Sequence, residues 1–318
     1  MQDFPDFPLG FGAASISGEG RGYGFGKISE QDAIRLVQKA FELGFRVFDT
    51  APIYGFGLSE KRLAKALKEV RGDAFIVSKA GVTWDRNRRV DKCNAPDVVE
   101  KMLDQSLQDL AGDSIDLYMI HWPDPRNDIR SAMEVLARRK EKGDIRHIGL
   151  CNTFAEDFQR AEEVCSIEAI QDSWNAFSYF ETAKRYEFLG ERKIWKMGYA
   201  TLDKGILTGR VDETRQFDDE DCRSWAPWWK NQNHYPKFEL VKKLKSILFD
   251  YDLNLLDFAL HFSRNKYDFI DLPLVGARNI EQLEGVVKSI NKNVTKETLA
   301  EIEKRWREQG YSEAIVHA

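Results

Sequence analysis

The 318 residues carry 47 Lys and Arg against 52 Asp and Glu, a formal net charge of −5, with a hydrophobic fraction of 42%. No apolar run approaches the roughly 18 residues of a membrane span, and Met1 to Pro8 lacks the basic-then-apolar order of a secretory leader. No basic block marks nucleic acid as a partner. Cys93, Cys151, Cys165 and Cys222 have no paired spacing and the five histidines are scattered, so reduced thiols, no structural metal and a cytoplasmic location are expected.

Short β-branched runs alternate with amphipathic stretches along the whole chain. A strand at Leu9–Ala13 leads into the glycine-rich Ser17–Gly26, which never satisfies GxGxxG before a helix and reads as a mobile loop over a barrel mouth. Ser29–Leu43 puts Ala33, Ile34, Val37, Ala40 and Phe41 on one helical face. Ser29 and Asp32 suit a capping box there, and Gly44 a stop. Further strands are expected at Arg46–Asp49, Phe75–Lys79, Asp116–His121, His147–Cys151, Ala169–Ser173, Lys196–Tyr199 and Ile270–Pro273. Between two of them, a helix over Ala132–Lys142 ends at Gly143. The polar, tryptophan-rich Asp212–Pro236 reads as an irregular insertion and a candidate lid. Strand–helix–strand order with short connections predicts a parallel sheet, and eight repeats in this length predict a closed (β/α)8 TIM barrel in one domain, 1–318. An open doubly wound sheet is the alternative, weakened by the missing dinucleotide fingerprint.

In a parallel barrel the chemistry lies at the C-terminal ends of the strands. Those ends carry Asp49, Lys79, His121, Asn152, Gln171 and Tyr199. Singly, each has a bland reading as a cap, a snorkelling lysine or a core histidine, but an acid, a base and an imidazole converge here. Tyr54 follows Asp49 by five residues. A free tyrosine has a pKa of about 10, and moving it towards 7 needs roughly 4 kcal/mol of phenolate stabilisation. A nearby lysine ammonium, kept charged by a carboxylate, is the type of group that acts in that direction.

With these residues in view, the chain resembles the aldo-keto reductases over nearly its whole length. GFRVFDTAPIYGFGLSEKRLAKAL is similar to that family's aspartate–tyrosine signature, FIVSKAG to its lysine strand and DLYMIHWPD to its histidine strand. KEKGDIRHIGLCN resembles a segment that commonly ends in Ser-Asn. The resemblance implies a reductase that turns an aldehyde or ketone into an alcohol, with Asp49, Tyr54, Lys79 and His121 as the catalytic set and Tyr54 as the acid. It also implies NADPH as cofactor. Asn152 and Gln171 would hold the carboxamide and Tyr199 the ring face, with Gly12, Leu202, Lys204, Gly276 and Gln282 along the rest of the cleft. Arg278, at the start of a helix after the last strand, would take the 2′-phosphate.

QDSWN, from Gln171 to Asn175, resembles QxxYN with Trp174 in place of tyrosine. Cys151 stands where serine is common, Ala200 and Thr201 where Ser-Pro is common, and Gly285 and Val286 where Glu-Asn is common. These departures remove hydrogen-bonding groups from the cofactor cleft and leave the four catalytic positions intact. Ile53, Phe56, Trp84 and Trp122 border those positions and suggest an apolar substrate pocket for a small carbonyl compound. Trp225, Trp228 and Trp229 are placed to close it. A nucleotide-binding regulatory or scaffold barrel is the alternative from another class, and a barrel lyase or epimerase without nicotinamide a third.

Overall fold

The computed structural model describes residues 7–18, 22–266 and 269–312. In chain order its elements are β1 (Gly10–Gly12), α1 (Glu30–Glu42), β2 (Val47–Asp49), α2 (Leu58–Leu67), β3 (Phe75–Ala80), β4 (Val82–Trp84), β5 (Val90–Lys92), α3 (Pro96–Asp109), β6 (Ile115–Ile120), α4 (Ile129–Glu141), β7 (Ile145–Cys151) and α5 (Ala155–Glu162). There follow β8 (Ala169–Ser173), α6 (Tyr179–Arg185), β9 (Trp195–Tyr199), α7 (Pro227–Lys230), α8 (Tyr235–Phe249), α9 (Leu255–Asn265), β10 (Leu272–Val275), α10 (Ile280–Ile290) and α11 (Lys296–Glu308). Eight parallel strands close in the order β1-β10-β9-β8-β7-β6-β3-β2, so the sheet is a (β/α)8 barrel and not an open doubly wound one. Strands β4 and β5 form a separate antiparallel hairpin above it.

Side chains alternate across a strand, so residues two apart share a face. Val47, Phe75, Val77, Leu117, Met119, Ala169, Trp195, Met197, Leu272 and Leu274 form one buried cluster, the filling of the barrel. Two residues on along the same strands stand Asp49, Lys79, His121, Gln171 and Tyr199, which places a polar layer directly on the apolar one. Two larger clusters fill the space between barrel and helices, one around Phe11, Phe48 and Tyr118 and the other around Trp174, Phe258 and Trp306.

The eight expected strands all occur, with ends shifted by at most two residues. Helix α1 lies where its periodicity puts it. Its Ser29 Oγ accepts the Asp32 N–H at 3.1 Å, but the same hydroxyl donates to the Asp32 carboxylate at 2.6 Å, so the reciprocal half of a capping box is replaced by a side-chain pair. Helix α4 starts at Ile129, earlier than the expected Ala132, because Asp128 caps it by accepting the Arg130 N–H. The glycine-rich loop is described except for residues 19–21. It runs against the Tyr54 turn: Gly55 N–H donates to Gly22 O at 2.7 Å, and a Cβ on Gly22 would lie 2.4 Å from Gly55 Cα. Only glycine permits that approach.

Beneath the barrel mouth α2 carries a fully buried carboxyl, Glu60, with no ion-pair partner among the described residues. Ser78 Oγ donates to it at 2.6 Å, but burial pushes its pKa up to about 7. The folded state therefore holds a proton between roughly pH 4.5 and 7 that the unfolded chain has lost, and stability falls as pH rises through that window. Glu60→Gln is expected to be more stable than the wild type at pH 8.5, by on the order of 1–2 kcal/mol, and nearly equal at pH 4.5. Urea midpoints at the two pH values check this, and an unchanged difference between them would contradict it.

Candidate active site

The centre of the mouth is an ion pair shut away from water. Lys79 Nζ lies 2.7 Å from Asp49 Oδ2 and 2.9 Å from Thr50 O, with Lys79 wholly buried and Asp49 4% exposed. Gln171 Nε2 donates to the same carboxylate oxygen at 2.7 Å. Burial alone would lower the lysine, but the charge of Asp49 and its hydrogen bond outweigh it and hold the ammonium above the usual lysine value. Each ion pays several kcal/mol in desolvation, which only a paired and hydrogen-bonded geometry repays.

Tyr54 ends a tight turn after β2, its N–H bonded to Ala51 O at 3.0 Å. Lys79 Nζ lies 5.5 Å from its ring centroid, and the His121 ring meets it edge-on at 6.0 Å and 89°. Burial pushes Tyr54 up to about 12 against the pull of Lys79, and the charge of Asp49 adds to the rise. The downward shift expected from a nearby ammonium is therefore overridden by burial, with Asp49 opposing part of the pull of Lys79. The result is a phenol that keeps its proton at neutral pH. His121 is held well below the usual histidine value by burial and then by Lys79, so its ring is neutral.

Asn152 and Tyr199 stand beside this group. Tyr199 Oη donates to Asn152 Oδ1 at 2.7 Å, and Asn152 Nδ2 donates to His121 O at 3.0 Å. Asn152 takes φ 56°, a left-handed conformation that asparagine tolerates better than most residues. Cys151 is buried, its Sγ 3.6 Å from Gln171 Oε1, and burial raises its thiol well above the ordinary value, which makes it a poor nucleophile. Trp174 points away from the mouth: it is wholly buried, stacks on Phe269 at 5.0 Å and donates from Nε1 to Ser263 O at 2.9 Å.

A cleft of about 1720 Å³ runs from Tyr54 and His121 past Gly12, Tyr199, Leu202 and Lys204 to Gly276, Arg278 and Gln282. Asn152, Gln171 and Lys79 support its floor and do not line it. At its far end Arg278 donates to Ser15 O at 2.6 Å and to Lys27 O, so the guanidinium also ties down the N-terminal loop. Gln282 Oε1 accepts the Arg278 N–H at 2.8 Å, while its own N–H is taken by the α10 cap, Asn279. Gly285 and Val286 line the same end, and nothing lies within 4 Å of where a Gly285 Cβ would be.

The insertion at Asp212–Pro236 is joined to the glycine-rich loop across this cleft. Phe25 and Asp221 form an antiparallel bridge, Cys222 N–H donates to Gly24 O at 2.9 Å, and Trp225 packs on Tyr23 at 5.2 Å. Arg223 pairs with Asp221 at 2.6 Å and donates to Lys204 O at 2.7 Å. Of the three tryptophans, Trp228 lines the cleft and Trp229 is buried in the core. Around the mouth, Ile53 and Trp122 line the cavity, whereas Trp84 packs on Phe56 at 5.1 Å. Sequence reasoning passed over Tyr23, Val90, Lys92 and Arg223, which also line it. The β4–β5 hairpin that carries two of them is too short and too charged for a periodicity signal. No group of three potential metal-ligating side chains occurs among the described residues.

Residues 8–307 match the model of the aldo/keto reductase family. The chain is 30% identical over 281 residues to the aldo-keto reductase YhdN of Bacillus subtilis, covering 87% of this chain and 83% of that one. It is 29% identical over 304 residues to an aldo-keto reductase of Schizosaccharomyces pombe whose name carries NADP(+), covering 92% and 86%. Among solved structures, a glycerol dehydrogenase from Gluconobacter oxydans superposes with a TM-score of 0.80 at 25% identity, covering 95% of this chain and 92% of that one. The chain belongs to the aldo/keto reductase family and is an oxidoreductase of that class.

The buried pair makes a stability prediction. Asp49→Ala strands a buried ammonium and is expected to cost about 3–5 kcal/mol, whereas Asp49→Ala with Lys79→Met is expected to cost less than that single change. Urea denaturation of the three proteins checks the order. An Asp49→Ala variant within about 1 kcal/mol of wild type would show that the pair carries no such constraint.

Proposed function

We propose that this chain reduces an aldehyde or ketone to the alcohol with NADPH, and that Tyr54 is the proton donor. The observation that carries the proposal is a protonated Tyr54 and a neutral His121 set edge to face over the buried Asp49–Lys79 pair, at one end of a cleft long enough for a dinucleotide. A nicotinamide held in the cleft would supply the hydride for the carbonyl carbon. Tyr54 gives its proton to the carbonyl oxygen as charge grows there, and a His121 N–H steadies the same oxygen. Lys79, kept charged by Asp49, offsets the phenolate left behind, which regains its proton from solvent. The hydride and the proton together make the alcohol.

The cleft fits the cofactor. A Cβ on Gly276 would lie 3.0 Å from Gly12 O, a close approach of two backbone segments in the cleft wall that favours glycine. Asn152 and Gln171 brace Tyr199 and Asp49 beneath the mouth, and Tyr199 would offer a ring face to the nicotinamide. Leu202 and Lys204 border the middle of the cleft, and the N-terminus of α10 with Gln282 lies at the phosphate end. Arg278 supports NADPH over NADH, since a guanidinium keeps further N–H donors for a phosphate after meeting Ser15 and Lys27. The NADP(+) in the name of the S. pombe relative and the alcohol-linked activity in the name of the G. oxydans one agree with this reading.

Titration with NADPH and NADH, followed by quenching of tryptophan fluorescence, tests the cofactor. NADPH is expected to bind at least about tenfold more tightly, the scale of a charge-assisted phosphate contact. Equal affinities would remove the role given to Arg278, and no quenching by either at millimolar concentration would remove the reductase reading.

A further inference from the structure

We propose that the mouth is built for carbonyl compounds that carry a carboxylate, and that Lys92 receives it. The proposal rests on the reductase reading above and adds the substrate class to it.

The hairpin β4–β5 forms one wall of the mouth. Val82 packs with Ala51 and Ile53, in the cluster against which Tyr54 rests, and its register partner on β5 is Lys92. Val90 and Lys92 stand two apart on β5, hence on one face, and both line the cavity together with Tyr54, His121 and Trp122. The Lys92 ammonium sits 4.5 Å from the centroid of the Trp122 ring, on the residue next to His121. A cation is thus held over an aromatic face at the rim of the reacting centre.

Among the described residues no carboxylate lies within ion-pair distance of Lys92. Those nearby are engaged elsewhere. Asp91 and Asp124 both pair with Arg126, at 3.0 and 2.8 Å, and Asp49 is spent on Lys79. Asp85 accepts the N–H groups of Asn87 and Arg89. From Asp85 to Lys92 the hairpin carries Arg86, Arg88, Arg89 and Lys92 against Asp85 and Asp91, so this wall is net positive.

The chemistry of the wall narrows the anion. An aromatic face holds an ammonium without neutralising it, so the charge stays available to a ligand. One ammonium among Val82, Val90, Ile53 and Trp122 suits a monoanion on an apolar spacer; a phosphate dianion wants several donors. Deeper in, the charge of Lys79 is already balanced by Asp49, so the inner site offers the carboxylate no unbalanced cation. The arrangement sorts the two ends of the substrate, with the neutral carbonyl inward to Tyr54 and the charged end outward to Lys92.

The test compares 4-carboxybenzaldehyde with methyl 4-formylbenzoate, two aldehydes of like shape of which only the first is charged; the ester group withdraws electrons more strongly, so a preference for the acid runs against intrinsic reactivity. For the wild type kcat/KM is expected to favour the acid about tenfold through KM, the size of one partly exposed charge-assisted contact, and 0.5 M salt should erode the preference. Lys92→Met should bring the ratio to within about twofold and Lys92→Arg should keep it. Equal wild-type constants for the two aldehydes, or a preference that survives in Lys92→Met, would overturn the proposal. Calorimetric titration of the same pair into the protein with NADP+ reads the preference without turnover. If neither aldehyde is reduced, a Lys92-dependent preference in binding still supports the anion site while the reductase reading fails, and its absence overturns the site.

Discussion

A lysine with no exposure to solvent must be paired, and the top of this barrel is organised by that requirement. Lys79 finds Asp49 on the neighbouring strand and Thr50 O beyond it, and Gln171, on the opposite side of the barrel, completes the carboxylate. Three strands are tied at one point above the apolar filling. Removing either charge would leave the other uncompensated in a dry site, so the layer is locked in composition as well as in position. Tyr54 and His121 rest on this layer, and both become neutral hydrogen-bonding groups because water is kept from them.

That neutrality reshapes the electrostatic argument. A lysine beside a tyrosine suggests an acidified phenol, but here Asp49 opposes the pull of Lys79 and desolvation outweighs it. Burial then decides, and Tyr54 holds its proton more firmly than a free tyrosine. For the proton-donor role proposed above, being protonated at neutral pH is the required resting state. In the proposed reaction Lys79 would matter most after the proton has left, when it faces a phenolate.

Much of this was legible in the sequence because parallel barrel strands announce themselves as short β-branched runs ending in a polar residue. VFD and FIVSKA, and IDLYMI together with the His121 that follows it, each reach a polar residue at the mouth, and strand alternation puts Asp49, Lys79 and His121 on one inner layer. Helix α1 was readable from its 3.6 period and its Ser29 cap. What was not legible depends on contacts between distant segments. The bridge of Phe25 to Asp221 joins residues nearly two hundred positions apart, and neither segment has a period to betray it. The β4–β5 hairpin, WDRNRRVDK in its latter part, looks like a charged loop. Glu60, in a run of good helix formers, reads as a solvated helix residue, and only the packing of α2 on β3 buries it. QDSWN does not by itself say where Trp174 goes; strand alternation turns it outward into the core under α9.

The bridged loops and the Asp49–Lys79 layer have different duties. The first spans the cleft where a dinucleotide would lie and bears on how a cofactor is held. The second bears on whether a proton is delivered once it is held. Steady-state carbonyl reduction by Tyr54→Phe, with NADPH affinity measured on the same protein, separates the two most directly. The account predicts a loss of turnover of at least about 100-fold, the lower end for a general acid, with NADPH binding changed only a few-fold. Turnover at the wild-type rate in that variant would contradict the assignment of Tyr54 as the proton donor.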